Sequence, residues 1–381
     1  MALVLMSQAQ AAKPALPDNS IPLSELIGQT TPIDLNGSEI IYPVFIPLTQ
    51  RMVVQDVELH LEYVNSIALI GARSQMIVKL NDEVVAQIPL NPNRPEGIAD
   101  IRLPSKRFEP GYNKLTFHVV QHYTYDCEDP DAPELWTQID SHKSYVRYEG
   151  LLKRLKPKLS ELPQLLDERW VGDYELNMVT PSLPDSDSAR WAALAAQSAA
   201  IHLEYKPPLI HHEILKTFSQ PSTARLQAYR FPGLDQSHMV GRDTIMVGTQ
   251  SDLQRALGSK WSATVRGPYL GVFALDEDPR HFLLVVSGSN ASDVDAAARI
   301  LGYLNFPLPD QATANFPGLT VDHLHSFAAP PLVSQNSTYR LYDFGYESST
   351  IRGAQGGMVD IDVMLPPNTY VAETSRVKLN L

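Results

Sequence analysis

Cysteine is almost missing from this chain. Cys127 is the single one in 381 residues, so no disulfide can close within the chain and no zinc site can be built from several thiolates. Long apolar runs are missing as well. No stretch approaches the roughly 18 residues that would cross a bilayer. There is no dense basic patch: 31 basic residues face 43 acidic ones, for a net charge of −12, which argues against a nucleic-acid partner. Glycine-rich phosphate loops are also lacking. The turn Pro181-Ser-Leu-Pro-Asp-Ser-Asp187 offers prolines without N–H groups and carboxylates that repel phosphate, and Ser287-Gly-Ser-Asn290 lacks the dinucleotide spacing. No cofactor is expected. No GxSxG elbow occurs. His211-His212-Glu213 would point to opposite faces of a strand, and His323-x-His325 lies in a presumed linker, so no metal is expected.

What is present is core-forming residues, 44% apolar, and thirty prolines. Proline at this level fits loops and edge strands better than long helices. The length suggests two or three domains. Residues 1–11 end in Ala9-Gln-Ala11, a small-x-small pattern expected of a signal-peptide remnant. Residues 12–35 read as a linker with an apolar anchor at Leu23, Leu26 and Ile27.

From 36 to 155 the pattern is strand after strand. Ile40–Pro47 is an edge strand by its prolines, Val53–Tyr63 alternates, and Met76–Leu80 and Val84–Ile88 flank a turn at Asn81-Asp82-Glu83. About eight short strands with no helical period argue for a jelly-roll β-sandwich. From 156 to 325 the pattern changes. A helix is expected over Leu159–Trp170, and a strand over Tyr174–Thr180. An Ala-rich helix capped by Asp187 or Ser188 follows, then strands over Ala224–Tyr229 and Asp243–Gly248 and a short helix from Ser251 to Leu257. A strand pair at Tyr269–Leu275 and His281–Ser287 and a helix over Val294–Leu304 complete the set. Strands alternating with helices describe a mainly parallel α/β sheet. Residues 326–337 read as a linker. Residues 338–381, with strands at Thr338–Phe344 and Met358–Met364, are too few for a sandwich and read as an incomplete one.

The densest local signal is His122-Tyr-Thr-Tyr-Asp-Cys-Glu128 followed by Leu135-Trp-Thr-Gln-Ile139. Leu115, Phe117 and Val119 share one strand face, and continued parity would turn Tyr123 and Tyr125 to the core. The other reading is a flat sugar platform built from the same rings. Trp136 is a carbohydrate-contact candidate or a buried ring. Asp126, Glu128, Asp129, Asp131 and Glu134 form an acidic loop of unassigned role, without EF-hand spacing.

These two segments resemble the signature of the BcsB family, the regulatory subunits of bacterial cellulose synthase, which are the periplasmic partners of the synthase. Thr244-Ile-Met-Val-Gly-Thr249, Gly267-Pro-Tyr-Leu-Gly271 and Leu283-Leu-Val-Val-Ser-Gly288 resemble that family's first flavodoxin-like domain. The resemblance covers nearly the whole chain in motif order. It implies jelly-roll domains like carbohydrate-binding modules alternating with flavodoxin-like domains, and a C-terminal membrane anchor that this chain lacks, so a fragment is expected. It implies a non-catalytic periplasmic subunit associated with the inner membrane. Its partners would be the catalytic subunit and the nascent cellulose chain, with homo-oligomers left open. The contact candidates are Trp136, Tyr123, Tyr125 and His122. The family's association with cyclic di-GMP is not carried over, since that ligand is cytoplasmic and no Arg-rich nucleotide motif is seen. The alternatives are a purely structural assembly subunit without glucan contact, and a secreted polysaccharide hydrolase with a binding module.

Overall fold

Alternation of apolar and polar residues organises the first 150 residues. Ten strands form: β1 (Ser20–Pro22), β2 (Ile33–Asn36), β3 (Glu39–Leu48), β4 (Met52–Asn65), β5 (Gln75–Leu80), β6 (Glu83–Pro89), β7 (Glu96–Leu103), β8 (Gly111–Val120), β9 (Trp136–Ile139) and β10 (Tyr145–Leu152). A short helix, α1 (Leu23–Ile27), follows β1. One sheet runs β1-β10-β4-β9-β2 with β7 also on β4, and the other runs β3-β8-β5-β6. Val57, Leu59 and Leu61 from the first sheet and Val78, Leu80, Leu115, Phe117 and Val119 from the second are all fully buried between them. Each such side chain contributes about 1.5–3 kcal/mol, and a one-residue slip would turn the set to solvent. β3 lies at a sheet edge, where Pro43 and Pro47 need no ladder donors. The β5–β6 turn has Asn81 at φ 48° and Asp82 at φ 67°, the double positive φ of a type I′ hairpin. The Asn81 side chain locks it, accepting from Lys114 N at 2.9 Å and donating to Arg107 O at 2.8 Å.

The computed structural model describes residues 20–182, 185–204, 206–304, 306–319, 333, 338–344 and 364. The chain divides into two units, Met1–Val321 and Asp322–Leu381. Residues 20–35 are not a linker. β1 pairs with β10, β2 pairs with β9, and Ile21, Leu23, Ile33 and Leu35 are buried in the sandwich core. Ile33-Asp-Leu-Asn36 carries the two-residue period in only four residues, short enough to be lost among the prolines.

The same unit continues with α2 (Leu162–Leu165), β11 (Tyr174–Thr180), α3 (Ser186–His202), β12 (Pro208–Ile214), α4 (Thr223–Ala228) and β13 (Asp243–Thr249). Then come α5 (Gln250–Ser262), β14 (Tyr269–Ala274), β15 (Phe282–Gly288), α6 (Ala291–Leu301) and β16 (Thr313–Asn315). Their sheet has the order β12-β11-β13-β15-β14-β16. The first four strands are parallel, whereas β14 and β16 run antiparallel, so the sheet is more mixed than its helix–strand alternation suggests. β13 and β15 are buried on both faces. One face packs on α3 and α6, the other on α5, giving two cores.

Several elements differ from their sequence reading. The helix expected over Leu159–Trp170 shrinks to a 3-10 turn and the single turn of α2. Pro163 restarts the helix, and the Leu165 carbonyl is taken by the Arg51 guanidinium at 2.9 Å instead of a later amide. Residues 224–229 are helical, because Ser222 accepts from Arg225 N at 3.3 Å and caps α4. The cap of α3 is Asp185, not Asp187 or Ser188. Its carboxylate accepts from Ser188 N at 2.8 Å, and Asp185 N donates to Ser188 Oγ at 2.9 Å. In the second unit, Leu341–Phe344 is a 3-10 turn rather than a strand, and it brings the Tyr339 and Phe344 rings to 5.5 Å. The Met358–Asp362 stretch and His323-x-His325 lie outside the described residues.

Candidate functional site

The signature segment leaves β8 and returns through β9. Its base is sewn by Gln121, which is fully buried. Gln121 Nε2 donates to Leu35 O at 3.0 Å and Gly37 O at 2.8 Å, and its Oε1 accepts from Thr137 Oγ1 at 2.9 Å. A strand parity that had run to Val119 therefore ends here in a side-chain clasp. Glu128 makes a second clasp. His122 Nδ1 lies 2.9 Å from Glu128 Oε1, and Tyr123 N donates to Oε2 at 3.1 Å. Asp129 N donates to the Tyr123 hydroxyl at 3.4 Å, and Asp131 N to Asp129 Oδ1 at 3.1 Å. Of the five loop carboxylates, Glu128 and Asp129 thus hold the loop's own backbone. Asp126 and Glu134 are exposed. Among the described residues no group of three or more His, Cys, Asp or Glu is placed to hold a metal ion. Cys127 is exposed and free.

The two tyrosines part company. β8 stops at Val120, so the parity that would have buried both does not extend to them. Tyr123 packs partly on the sandwich core. Tyr125 is 71% exposed. Trp136 opens β9 opposite Asn36 and is partly buried. The structure thus brings His122, Tyr123, Glu128 and Asp129 together, leaves Tyr125 at the surface, and fixes Trp136 on a strand.

A second aromatic surface was missed from sequence. On the outer face of β3 and β8, Pro47 pairs with Tyr112 and Phe45 with Lys114, so Phe45 and Tyr112 are diagonal neighbours. Each is 49% exposed, and Ile41 farther along the face is 58% exposed. The alternation of Ile41, Pro43, Phe45 and Pro47 was visible in the sequence, but nothing in it told which parity faces out.

The other unforeseen feature is a buried polar centre where the sandwich meets the α/β sheet. Arg51 reaches Asp243 with Nη1–Oδ2 at 2.5 Å and Nη2–Oδ1 at 2.8 Å, their side chains 3% and 2% exposed. Burial alone would raise the Asp243 pKa. The Arg51 guanidinium and His281 outweigh it and hold the carboxyl at about 2. Beside it opens a cavity of about 420 Å³ lined by residues including Trp170, Glu175, Arg242 and His281. At the C-terminal end of β11, where an α/β sheet could present a helix N-terminus to phosphate, the first turn of α3 is already occupied by the Asp185 carboxylate. His211 and His212 lie on β12 as neighbours facing opposite sides. His211 Nε2 is 3.3 Å from Glu175, and His212 Nε2 is 2.8 Å from Thr180 Oγ1.

A two-sheet sandwich followed by a helix-flanked sheet, with its aromatic residues on the sandwich, places the chain in the class of modular proteins with a carbohydrate-binding type of β-sandwich. Residues 17–150 match the family model described as cellulose synthase BcsB, first CBM domain, and residues 158–315 match cellulose synthase BcsB, first FD domain. The chain belongs to the BcsB family of cellulose synthase proteins. A cyclic di-GMP-binding protein of Xanthomonas axonopodis pv. citri is 27% identical over 384 residues, covering 96% of this chain and 46% of that protein. One from Pseudomonas fluorescens is 27% identical over 372 residues, covering 95% and 45%. A putative cellulose synthase 2 of Komagataeibacter xylinus is 24% identical over 349 residues, covering 90% and 21%. The chain spans about half the length of the first two relatives. Among solved structures, a family 35 carbohydrate-binding module from an environmental isolate is similar at TM-score 0.20 and 16% identity, over 32% of this chain and 78% of that one. Among the described residues no helix is long and apolar enough to cross a membrane.

Proposed function

We propose that the chain is part of a non-catalytic regulatory or scaffold subunit of a bacterial cellulose synthase, working on the periplasmic side of the inner membrane beside the catalytic subunit. Its sandwich guides the emerging β-1,4-glucan by weak stacking on aromatic rings, so that the polymer can slide. The observation that carries this reading is the aromatic end of the sandwich: Tyr125 is 71% exposed and Tyr123 and Trp136 are only partly buried. Flat rings pack on the apolar faces of glucose units. The α/β body, which we read as flavodoxin-like over 156–325, serves packing and subunit association. A second sandwich begins near 338, and the membrane anchor belongs to the longer protein. Cyclic di-GMP binding, which the relatives' names carry, forms no part of this reading.

The test is a titration of the chain with soluble cello-oligosaccharides, read by tryptophan fluorescence. A saturable change that is lost in Trp136→Ala is expected, together with lower polymer yield when that variant replaces the native subunit in a working synthase. No fluorescence response and an unchanged yield would sink the guide reading. The exposed Ile41, Phe45 and Tyr112 on the outer sheet face favour a second reading, an assembly subunit that docks protein there and touches no glucan. Under it, Phe45→Ser lowers yield while Trp136→Ala does not.

A further inference from the structure

The α/β half carries a recess shaped for one planar cation, and the sandwich fills it. Arg51 sits in the turn between β3 and β4, with its guanidinium driven out of the sandwich. Nη1 donates to Leu165 O at 2.9 Å and to Asp243 Oδ2 at 2.5 Å. Nη2 donates to Asp243 Oδ1 at 2.8 Å and to Arg280 O at 3.1 Å. The guanidinium carbon lies 5.2 Å from the Trp170 ring and 5.4 Å from the Phe282 ring. All of these partners come from the α/β half. The recess is braced independently of its occupant. Asp243 also accepts from the Tyr174 hydroxyl at 2.7 Å and from Phe282 N at 3.2 Å, and His281 Nδ1 stands 3.2 Å away. Its carboxylate is therefore aimed before an arginine arrives.

We propose that the α/β half holds a preformed guanidinium-binding site, that Arg51 occupies it within the same chain, and that this plug joins sandwich and sheet into one rigid, cooperatively unfolding body. The chemistry is specific. A bidentate carboxylate, two carbonyls and flanking rings match the flat fork of a guanidinium, and an ammonium cannot reproduce the set. Burial makes the coupling strong, because a charge that loses its partner here must take on water or destabilise its host. The connector between the halves is pinned at the same place: Lys153 N donates to Arg51 O at 2.8 Å and Leu155 N to Pro279 O at 2.7 Å.

The test uses the full chain with Arg51→Ala, Arg51→Lys and Asp243→Asn, read by calorimetry and by trypsin cleavage at Lys153 and Arg154. The native chain is expected to unfold its sandwich and α/β sheet in one transition. Arg51→Ala splits that transition and is cut more than roughly tenfold faster at the connector. Millimolar methylguanidinium slows the cut in Arg51→Ala but not in Asp243→Asn, and methylammonium does neither. A native-like single transition and cleavage rate in Arg51→Ala, or equal rescue by the two amines, overturns the proposal. Should Arg51→Ala not fold, Arg51→Lys is expected to show the faster cleavage. Native-state hydrogen exchange on the unaltered chain then decides as well. Val57 and Phe282 amides opening in the same event support the plug, and a sandwich that opens alone at lower denaturant overturns it.

Discussion

A carboxylate at the first position of a buried central strand destabilises its fold unless a cation meets it, and Asp243 shows how completely that demand can be met. Its pKa stands at about 2 against an ordinary 3.8, with burial pushing up and Arg51 and His281 pushing down. A depressed carboxylate adds stability that is fully present above its unfolded pKa and is lost as pH falls through the folded one. The window here is therefore from about pH 4 to pH 2, and the amount lost is about 2 kcal/mol. Other depressed carboxylates, Asp278 and Asp295 among them, titrate nearby. The expected outcome is thus a difference: the unfolding free energy of the native chain falls more steeply between pH 4 and 2 than that of Asp243→Asn, which starts lower at neutral pH. Parallel acid limbs in urea titrations would refute the assignment. Tyr174 does not disturb this window, since burial lifts its hydroxyl well above the ordinary tyrosine range and it stays a donor to Asp243.

At the scale of elements, the junctions carry the strictest demands. β15 ends at Gly288, and α6 folds back so closely that a Cβ there would lie 2.3 Å from Asp293 Cβ and 2.7 Å from the Val294 nitrogen. Gly288→Ala must push the first turn of α6 away from the sheet. The expected cost is about 1–3 kcal/mol, seen as a lower urea midpoint at unchanged slope. Such junctions also explain what the sequence could and could not tell. The buried strands β11, β13 and β15 and the I′ turn at Asn81-Asp82 were legible because period and turn chemistry are local. Leu159–Trp170 was misread because the partner that ends its helix, Arg51, lies more than a hundred residues earlier. The antiparallel β14 was placed as a strand, but its direction depends on which neighbour it meets. At the aromatic segment, the parity argument assumed that β8 continued. Gln121 and Glu128 ended it through contacts to Leu35, Gly37 and the loop backbone that no periodicity encodes.

For the whole molecule, the question is where a self-sufficient body begins. The sandwich is completed by residues that precede its long strands. Ile21, Leu23, Ile33 and Leu35 sit in its core, and Ser24 N donates to Ser141 O at 2.9 Å. Removing those four side chains forfeits about 1.5–3 kcal/mol each, which together rivals the whole stability of an ordinary domain. A chain begun at residue 18 is expected to keep the native melting transition, whereas one begun at residue 37 loses cooperative melting of the sandwich and gains exposed apolar surface that binds a hydrophobic dye. The loss does not stop at the sandwich. With it unfolded, Arg51 leaves Asp243 unpaired, so the α/β sheet of the shortened chain should melt earlier too, and Asp243→Asn should return part of that loss. If the chain begun at residue 37 melts within a few degrees of the longer one, the first two strands are decoration rather than part of the core.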